Sequence, residues 1–195
     1  MRISIKNGRV LCPSNNIDDK INVFIDDAKI VSLNKKPSGF KSDIDINAKD
    51  KIVLPGLVDI CARLGEIGSK NNGTIKDELR AANSSGVTSI CVPPDIYPII
   101  DTPAAVEFIN RRASQFSQTN IFPLGALTQK LRGEELAEMF LLKAAGCVGV
   151  SNGDIAIENT EVLRRSFEYA KSCDLTVFIF AEDKKIKNNG VVHEG

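Results

Sequence analysis

The stretch of sequence that decides the fold runs from residue 52 to residue 68 and reads IVLPGLVDICARLGEIG. An apolar, β-branched run comes first, Pro55 and Gly56 interrupt it, and a second apolar run leads to Cys61 and Arg63. Proline followed by glycine marks a turn between two elements of regular structure. The pattern therefore predicts a boundary between two structural regions at this point of the chain.

The composition is that of an ordinary globular protein. The chain has 195 residues, of which 43% are hydrophobic and 26% charged, and its 25 basic and 25 acidic side chains give a formal net charge of zero. This balance argues against a nucleic-acid-binding surface or a polybasic membrane patch. No apolar run approaches the ~18 residues of a membrane span, and the N-terminus lacks a signal-peptide core. The sequence therefore predicts a cytoplasmic protein.

The residues that bind zinc in hydrolases are scarce and scattered. His193 is the one histidine in the chain, whereas a hydrolytic zinc site uses several histidine or carboxylate ligands. The five cysteines stand singly, without CxxC spacing, which predicts reduced thiols and no disulfide framework or structural zinc site. They are Cys12, Cys61, Cys91, Cys147 and Cys173.

Residues 1–55 are predicted to form a small all-β region, because short alternating or β-branched runs are separated by polar turn residues. The predicted strands are Ile3–Val10, Asn22–Ile25, Lys29–Leu33, Ile44–Ile46 and Ile52–Leu54.

Residues 56–195 follow a different pattern, in which short apolar strands alternate with amphipathic helices. The predicted strands are Leu57–Cys61, Val87–Val92, Ile121–Ala126, Val148–Ser151 and Thr176–Ala181. The predicted helices begin after Thr74, after Thr102, at Glu134 and at Thr160, and end near Ser84, Phe116, Ala145 and Cys173. Such alternation indicates a parallel α/β sheet, either a barrel or a doubly wound sheet. The absence of a G-x-G-x-x-G motif after a strand weakens a dinucleotide-binding interpretation.

The residues around Asp59 resemble the first barrel strand of dihydroorotases in the amidohydrolase superfamily, whose pattern is roughly V-x-P-G-x-x-D-x-H-x-H-x-R-x-P-G. The resemblance implies part of a (β/α)8 barrel, with about five βα units, preceded by a small β-sandwich portion. A whole barrel needs ~250 residues. We therefore expect the sequence to be the N-terminal part of a longer protein, with a complete, smaller α/β domain as the alternative.

The resemblance also implies where metal ligands would stand in active relatives, which bind zinc. The two histidines of the first strand are replaced by Cys61 and Arg63. The bridging ligand after the fourth strand falls at Asn152, or at Asp154 if the alignment shifts. The histidine of the fifth strand, within a V-x-V-H-A-E-D pattern, is replaced by Phe180.

Two further positions correspond to substrate-binding residues of the family. The arginine that holds the substrate carboxylate falls at Gly65, and the Asn or Asp of the loop after the second strand falls at Asp95. Asp95 stands between prolines, so its use as a turn residue is the favoured explanation.

The substitutions predict a site without metal and without catalytic residues. Phenylalanine has no ligand atom, and a guanidinium is always protonated and has no lone pair to donate. At ~4 Å and an effective dielectric constant near 20, a +1 and a +2 charge repel by roughly 8 kcal/mol. Without zinc, no water is acidified and no amide carbonyl is polarised.

Three functions remain open from the sequence. The first is a non-catalytic, dihydroorotase-like pseudoenzyme of de novo pyrimidine biosynthesis. The resemblance implies a structural partnership with the catalytic subunit of aspartate transcarbamoylase, in a homo- or hetero-oligomer. The second is an enzyme of altered chemistry, with Cys61 as a nucleophile that would need a base. The third is a dihydroorotase or related cyclic-amide hydrolase with an altered site.

Overall fold

A computed structural model describes residues 1–64, 74–115, 119–187 and 190 of the chain. It divides into two compact units, Met1–Gly56 and Leu57–Gly195. Within the described residues, no helix is long and apolar enough to cross a membrane.

Seven short strands form the first unit. They are β1 (Arg2–Lys6), β2 (Arg9–Cys12), β3 (Ile17–Lys20), β4 (Val23–Asp26), β5 (Lys29–Leu33), β6 (Ile44–Asn47) and β7 (Ile52–Val53). One sheet has the strand order β5-β4-β1-β6 and the other the order β3-β2-β7. The edge strands β6 and β7 run parallel to their neighbours, and the remaining pairs are antiparallel.

The prediction of one continuous strand from Ile3 to Val10 was wrong. The backbone of Asn7 adopts a positive φ of 66°, which interrupts the extended conformation and sends β1 and β2 into different sheets. Strand β3 was not predicted, because its sequence, IDDK, has one apolar residue and gives no alternating signal. Phe24 packs edge-to-face against Phe40, with 5.4 Å between the ring centroids, and both side chains are buried.

Five parallel strands form the sheet of the second unit. They are β8 (Leu57–Asp59), β9 (Val87–Val92), β10 (Asn120–Ala126), β11 (Gly149–Ser151) and β12 (Thr176–Phe178). Their order, β12-β11-β10-β9-β8, follows the chain, so each strand pairs with its sequence neighbours. The predicted fold class, a partial barrel of about five βα units preceded in the chain by a small β region, is confirmed.

The helices of the second unit are α1 (Ile75–Ser84), α2 (Pro103–Ser114), α3 (Met139–Ala144), α4 (Thr160–Ser172) and α5 (Lys184–Lys187). Three of them, α1, α2 and α4, begin at side-chain caps. The Thr74 hydroxyl accepts a hydrogen bond from Asp77 N at 3.3 Å, and Thr102 caps α2 in the same way. Such caps satisfy backbone donors that the first helical turn leaves unpaired. The predicted starts of α1 and α2 are therefore correct.

The predicted helix from Glu134 to Ala145 was too long. Thr128 forms an isolated β-bridge with Leu136, and Ala137 N donates to Leu127 O at 3.0 Å. The residues before α3 are therefore paired with the segment that follows β10 and are not helical. Tertiary pairing therefore overrides the helical pattern until Met139. The predicted end of α2, Phe116, lies outside the described residues.

The core of the second unit lies between the sheet and its helices. Side chains from α1, α2, α3, β9 and β10 form its larger cluster, which includes Leu79, Ile90, Val92, Val106, Ile109, Ala126 and Leu142. A second cluster around α4 includes Leu127, Met139, Val150, Ala170 and Leu175. Burial of these apolar surfaces fixes the helices on the sheet and holds the strand ends in place.

Candidate functional site

The carboxyl ends of the parallel strands carry most of the predicted site residues. Cys61 and Arg63 follow β8, Asp95 follows β9, Asp154 follows β11 and Phe180 follows β12. Strands β8 and β12 are shorter than predicted, so Cys61 and Phe180 stand on the segments that leave the sheet. This end of a parallel βα sheet is where barrel enzymes place their active sites.

Arg63 is held between two carboxylates. Its Nε and Nη2 donate to Asp95 Oδ2 at 2.9 and 2.8 Å, and Nη2 also lies 2.8 Å from Asp154 Oδ1. The hydrogen bonds to Asp95 are the main reason that the pKa of Arg63 is raised above its ordinary value, with the charge of Asp154 adding to the effect. One cation and two anions therefore share the centre of the site.

Asp95 is the more enclosed partner of this cluster. Its side chain is 17% exposed, compared with 42% for Arg63 and 68% for Asp154. The second carboxylate oxygen, Oδ1, is buried and has no hydrogen-bond partner among the described residues. A carboxylate in this position depends on a nearby cation, because an unpaired buried charge is costly.

A pocket of about 170 Å³ opens beside the ion pairs. Arg63, Cys61, Ser151, Gly153 and Asp154 supply its polar side. Apolar side chains supply the rest of the wall, namely Ile60, Pro93, Leu124, Phe178, Ile179 and Phe180. Phe180 is 47% exposed, so its ring remains accessible from solvent. The pocket is small and combines a charged side with an aromatic side.

Cys61 is exposed beside Arg63. Its backbone N–H donates to Asp59 Oδ1 at 2.9 Å, and Arg63 Nη1 lies 4.0 Å from its sulfur. Ala62 N continues the pairing of β8 by donating to Cys91 O at 3.0 Å. Successive residues point to opposite sides of an extended segment, so Cys61 and Arg63, which are two positions apart, project to the same side.

Asn152 lies in a buried hydrogen-bond network and is not a wall residue of the pocket. Its side chain is 1% exposed, its Oδ1 accepts from Thr128 Oγ1 at 2.7 Å, and its Nδ2 donates to Ile155 O at 2.9 Å. Gly133 N donates to the same Thr128 hydroxyl at 3.0 Å. Of the two alternatives after the fourth barrel strand, Asp154 is thus the residue that reaches Arg63.

Sequence reasoning did not single out Gly153, which shapes the same loop. Gly153 has a φ of +60°, its N–H donates to Ser151 Oγ at 3.1 Å, and a Cβ at this position would lie 2.7 Å from Asp95 Cγ. The sequence Ser-Asn-Gly-Asp at residues 151–154 is a turn signal that could have identified it. Two predicted positions, Gly65 and His193, lie outside the described residues.

The residues at these strand ends do not fit a zinc ion. Asp95 and Asp154 already direct oxygens at Arg63, whose fixed positive charge would repel a cation bound between them. Phe180 offers no ligand atom. Among the described residues, no group of three or more His, Cys, Asp or Glu side chains is arranged to hold a metal.

Comparison with known proteins gives one matching family and close relatives. The sequence model of the dihydro-orotase-like family matches residues 50–195. A dihydroorotase-like protein of Pseudomonas putida is 40% identical over 195 residues, which are the whole of this chain and 46% of that protein. A dihydroorotase of Solibacter usitatus is 37% identical over the same length and is covered to 45%. The chain thus spans about half the length of these curated relatives.

The structural comparisons agree in fold. An L-hydantoinase (dihydropyrimidinase) from Arthrobacter aurescens superposes with a TM-score of 0.78 at 21% identity, covering 96% of this chain and 44% of that chain. A D-hydantoinase (dihydropyrimidinase) from Thermus sp. gives a TM-score of 0.73 at 16% identity, covering 96% and 42%.

Proposed function

The chain belongs to the dihydro-orotase-like family, and we propose that the protein it forms is a non-catalytic member of that family which serves de novo pyrimidine biosynthesis. In this proposal the barrel is kept as a scaffold, and the site at its strand ends has lost hydrolysis. The chain covers about half the length of its curated relatives. The activity proposed here is therefore that of a whole protein of which this chain forms a part.

One observation carries the proposal. The position at which the family pattern has its second histidine is occupied by Arg63, whose guanidinium is 2.8 Å from both Asp95 and Asp154. A guanidinium cannot act as a metal ligand, and no plausible shift of its pKa deprotonates it. Two further ligand positions support the same conclusion. Phe180 has no ligand atom, and Cys61, although a thiolate can bind zinc, lacks the partner ligands that a zinc site needs.

The partner that we propose is the catalytic subunit of aspartate transcarbamoylase. The support for it is the family resemblance together with the retained fold, because a barrel that no longer catalyses can still be selected for its surface. Such a role predicts a complex whose formation does not depend on metal or on dihydroorotate.

The catalytic part of the proposal is tested with the full-length protein, purified without a histidine tag. Zinc is measured by elemental analysis, and dihydroorotate formation and hydrolysis are followed with and without added zinc. We expect metal well below one equivalent per chain and no turnover above a heat-denatured control. Stoichiometric zinc together with turnover would instead support a dihydroorotase or related cyclic-amide hydrolase with an altered site.

The partnership is tested separately by analytical ultracentrifugation of the full-length protein with the aspartate transcarbamoylase catalytic subunit from the same organism. We expect a larger species that persists in the presence of a metal chelator. The matched control replaces the partner by an unrelated protein of similar size. Independent sedimentation of the two proteins at micromolar concentration would contradict this part of the proposal.

A further inference from the structure

We propose that Arg63 is an internal cation that takes the structural place of a metal ion, fastening the loops after β8, β9 and β11 to one another through its ion pairs with Asp95 and Asp154. We call these three residues the arginine clasp. The inference rests on the proposed function, since a clasp at this point excludes a catalytic metal. The proposed function requires only that a metal ligand is missing at position 63. The inference adds that Arg63 stabilises the fold.

The clasp joins parts of the sheet that are well separated. Arg63 follows β8 and Asp154 follows β11, and β9 and β10 lie between those strands in the sheet. Three spacings of ~4.8 Å would separate the two strands by roughly 14 Å in a flat sheet. The contact of 2.8 Å between Arg63 Nη2 and Asp154 Oδ1 therefore spans the ends of the two strands that lie between them.

The backbone is shaped to permit this contact. Gly153, directly before Asp154, lies so close to Asp95 that a Cβ would come within 2.8 Å of both Cβ and Oδ2 of that residue. Its φ of +60° is a backbone conformation that residues other than glycine rarely adopt. Glycine thus lets the loop after β11 close onto the loop after β9, with Asp154 directed at Arg63.

The burial of Asp95 separates the Arg63–Asp95 pair from an ordinary surface ion pair. Arg164 and Glu168 also form an ion pair, but both lie on one turn of α4 and are 63% and 62% exposed. Pairs of that kind contribute little, because water and salt screen them and the helix already holds both residues. In the clasp, Asp95 is 17% exposed, and the paired residues stand on different strands.

Urea unfolding of the full-length protein tests the clasp, with far-UV circular dichroism as the signal. We expect Arg63→Met to raise the unfolding equilibrium constant about tenfold, since it leaves Asp95 enclosed without its cation. The matched control, Arg164→Met, should raise it less than about threefold. When Arg63→Met is combined with Asp154→Asn, the changes in unfolding free energy should be non-additive, because both substitutions remove the contact between Arg63 and Asp154.

An effect of Arg63→Met no larger than that of Arg164→Met would overturn the clasp. If Arg63→Met shows no cooperative transition, the comparison uses Asp95→Asn, which removes the charge of the enclosed partner, and its control Glu168→Gln. Equal effects in that pair would also overturn it. Turnover of dihydroorotate by the unsubstituted protein would contradict the proposed function while leaving these unfolding differences unchanged, so the two failures are distinguishable.

Discussion

Gly153 and Asp95 stand in such close contact that a Cβ added to Gly153 would lie 2.7 Å from Asp95 Cγ. The two residues follow different strands, β11 and β9, and their approach is what brings the neighbouring Asp154 to Arg63. The absence of a side chain at Gly153 is thus as necessary for this arrangement as the charged groups.

The first prediction concerns that contact. Gly153→Ala should destabilise the protein by about 2–4 kcal/mol, because it adds a collision with Asp95 to the strain of a positive φ. Urea unfolding measures the change. Gly86→Ala is the matched control, since Gly86 has a φ of +84° and a Cβ added there would meet no atom within 4 Å. Equal losses in the two variants would show that the approach to Asp95 carries no cost.

The second prediction concerns the buried amide of Asn152. Asn152→Ala should cost about 3 kcal/mol, because it leaves the Thr128 hydroxyl and the Ile155 carbonyl without their partner in a buried place. Chemical denaturation measures the loss. Asn159→Ala removes the cap of α4 and should cost about 1 kcal/mol, as exposed caps do. A loss at Asn152 no greater than at Asn159 would contradict a structural role for the network.

The third prediction concerns the pH dependence of thiol alkylation. Burial raises the pKa of Cys147 to about 12, whereas hydrogen bonds from Ser14 and Asn15 lower that of Cys12 below its ordinary value. Because the thiolate is the reactive form, Cys12 should react well below the pH that Cys147 requires. At neutral pH, mass spectrometry after a short iodoacetamide pulse should find Cys12 modified and Cys147 intact. Modification of Cys147 at the rate of Cys12 in the folded protein would contradict its burial.

The fourth prediction concerns restoration of the family's histidines. The triple variant Cys61→His, Arg63→His and Phe180→His should show little dihydroorotate hydrolysis. Asn152, at one candidate position of the bridging ligand, is enclosed in its own network, and Gly65 has replaced the arginine expected to hold the substrate carboxylate. The assay is run with added zinc beside an authentic dihydroorotase. Substantial turnover by the triple variant would show that the site is otherwise intact.

Local sequence accounts for the elements whose signals are themselves local. The hydroxyls of Thr74 and Thr102 mark the starts of α1 and α2, and short apolar runs mark the five parallel strands. The helix predicted from Glu134 failed because its first residues are taken by backbone pairing with the segment after β10. Periodicity records the preference of a segment, whereas that pairing depends on a partner elsewhere.

The sequence by itself determined the alternation of strands and helices in the second unit, the family, and the chemical groups at Cys61, Arg63 and Phe180, because these follow from residue types and their spacing. Tertiary structure alone decided that Asp154 reaches the pocket, that Asn152 is enclosed beneath it, and that Arg63 is shared by two carboxylates. Arg63 and Asp95 are 32 positions apart in the chain. The parallel pairing of β8 with β9 brings the two residues together, and no local pattern encodes that pairing.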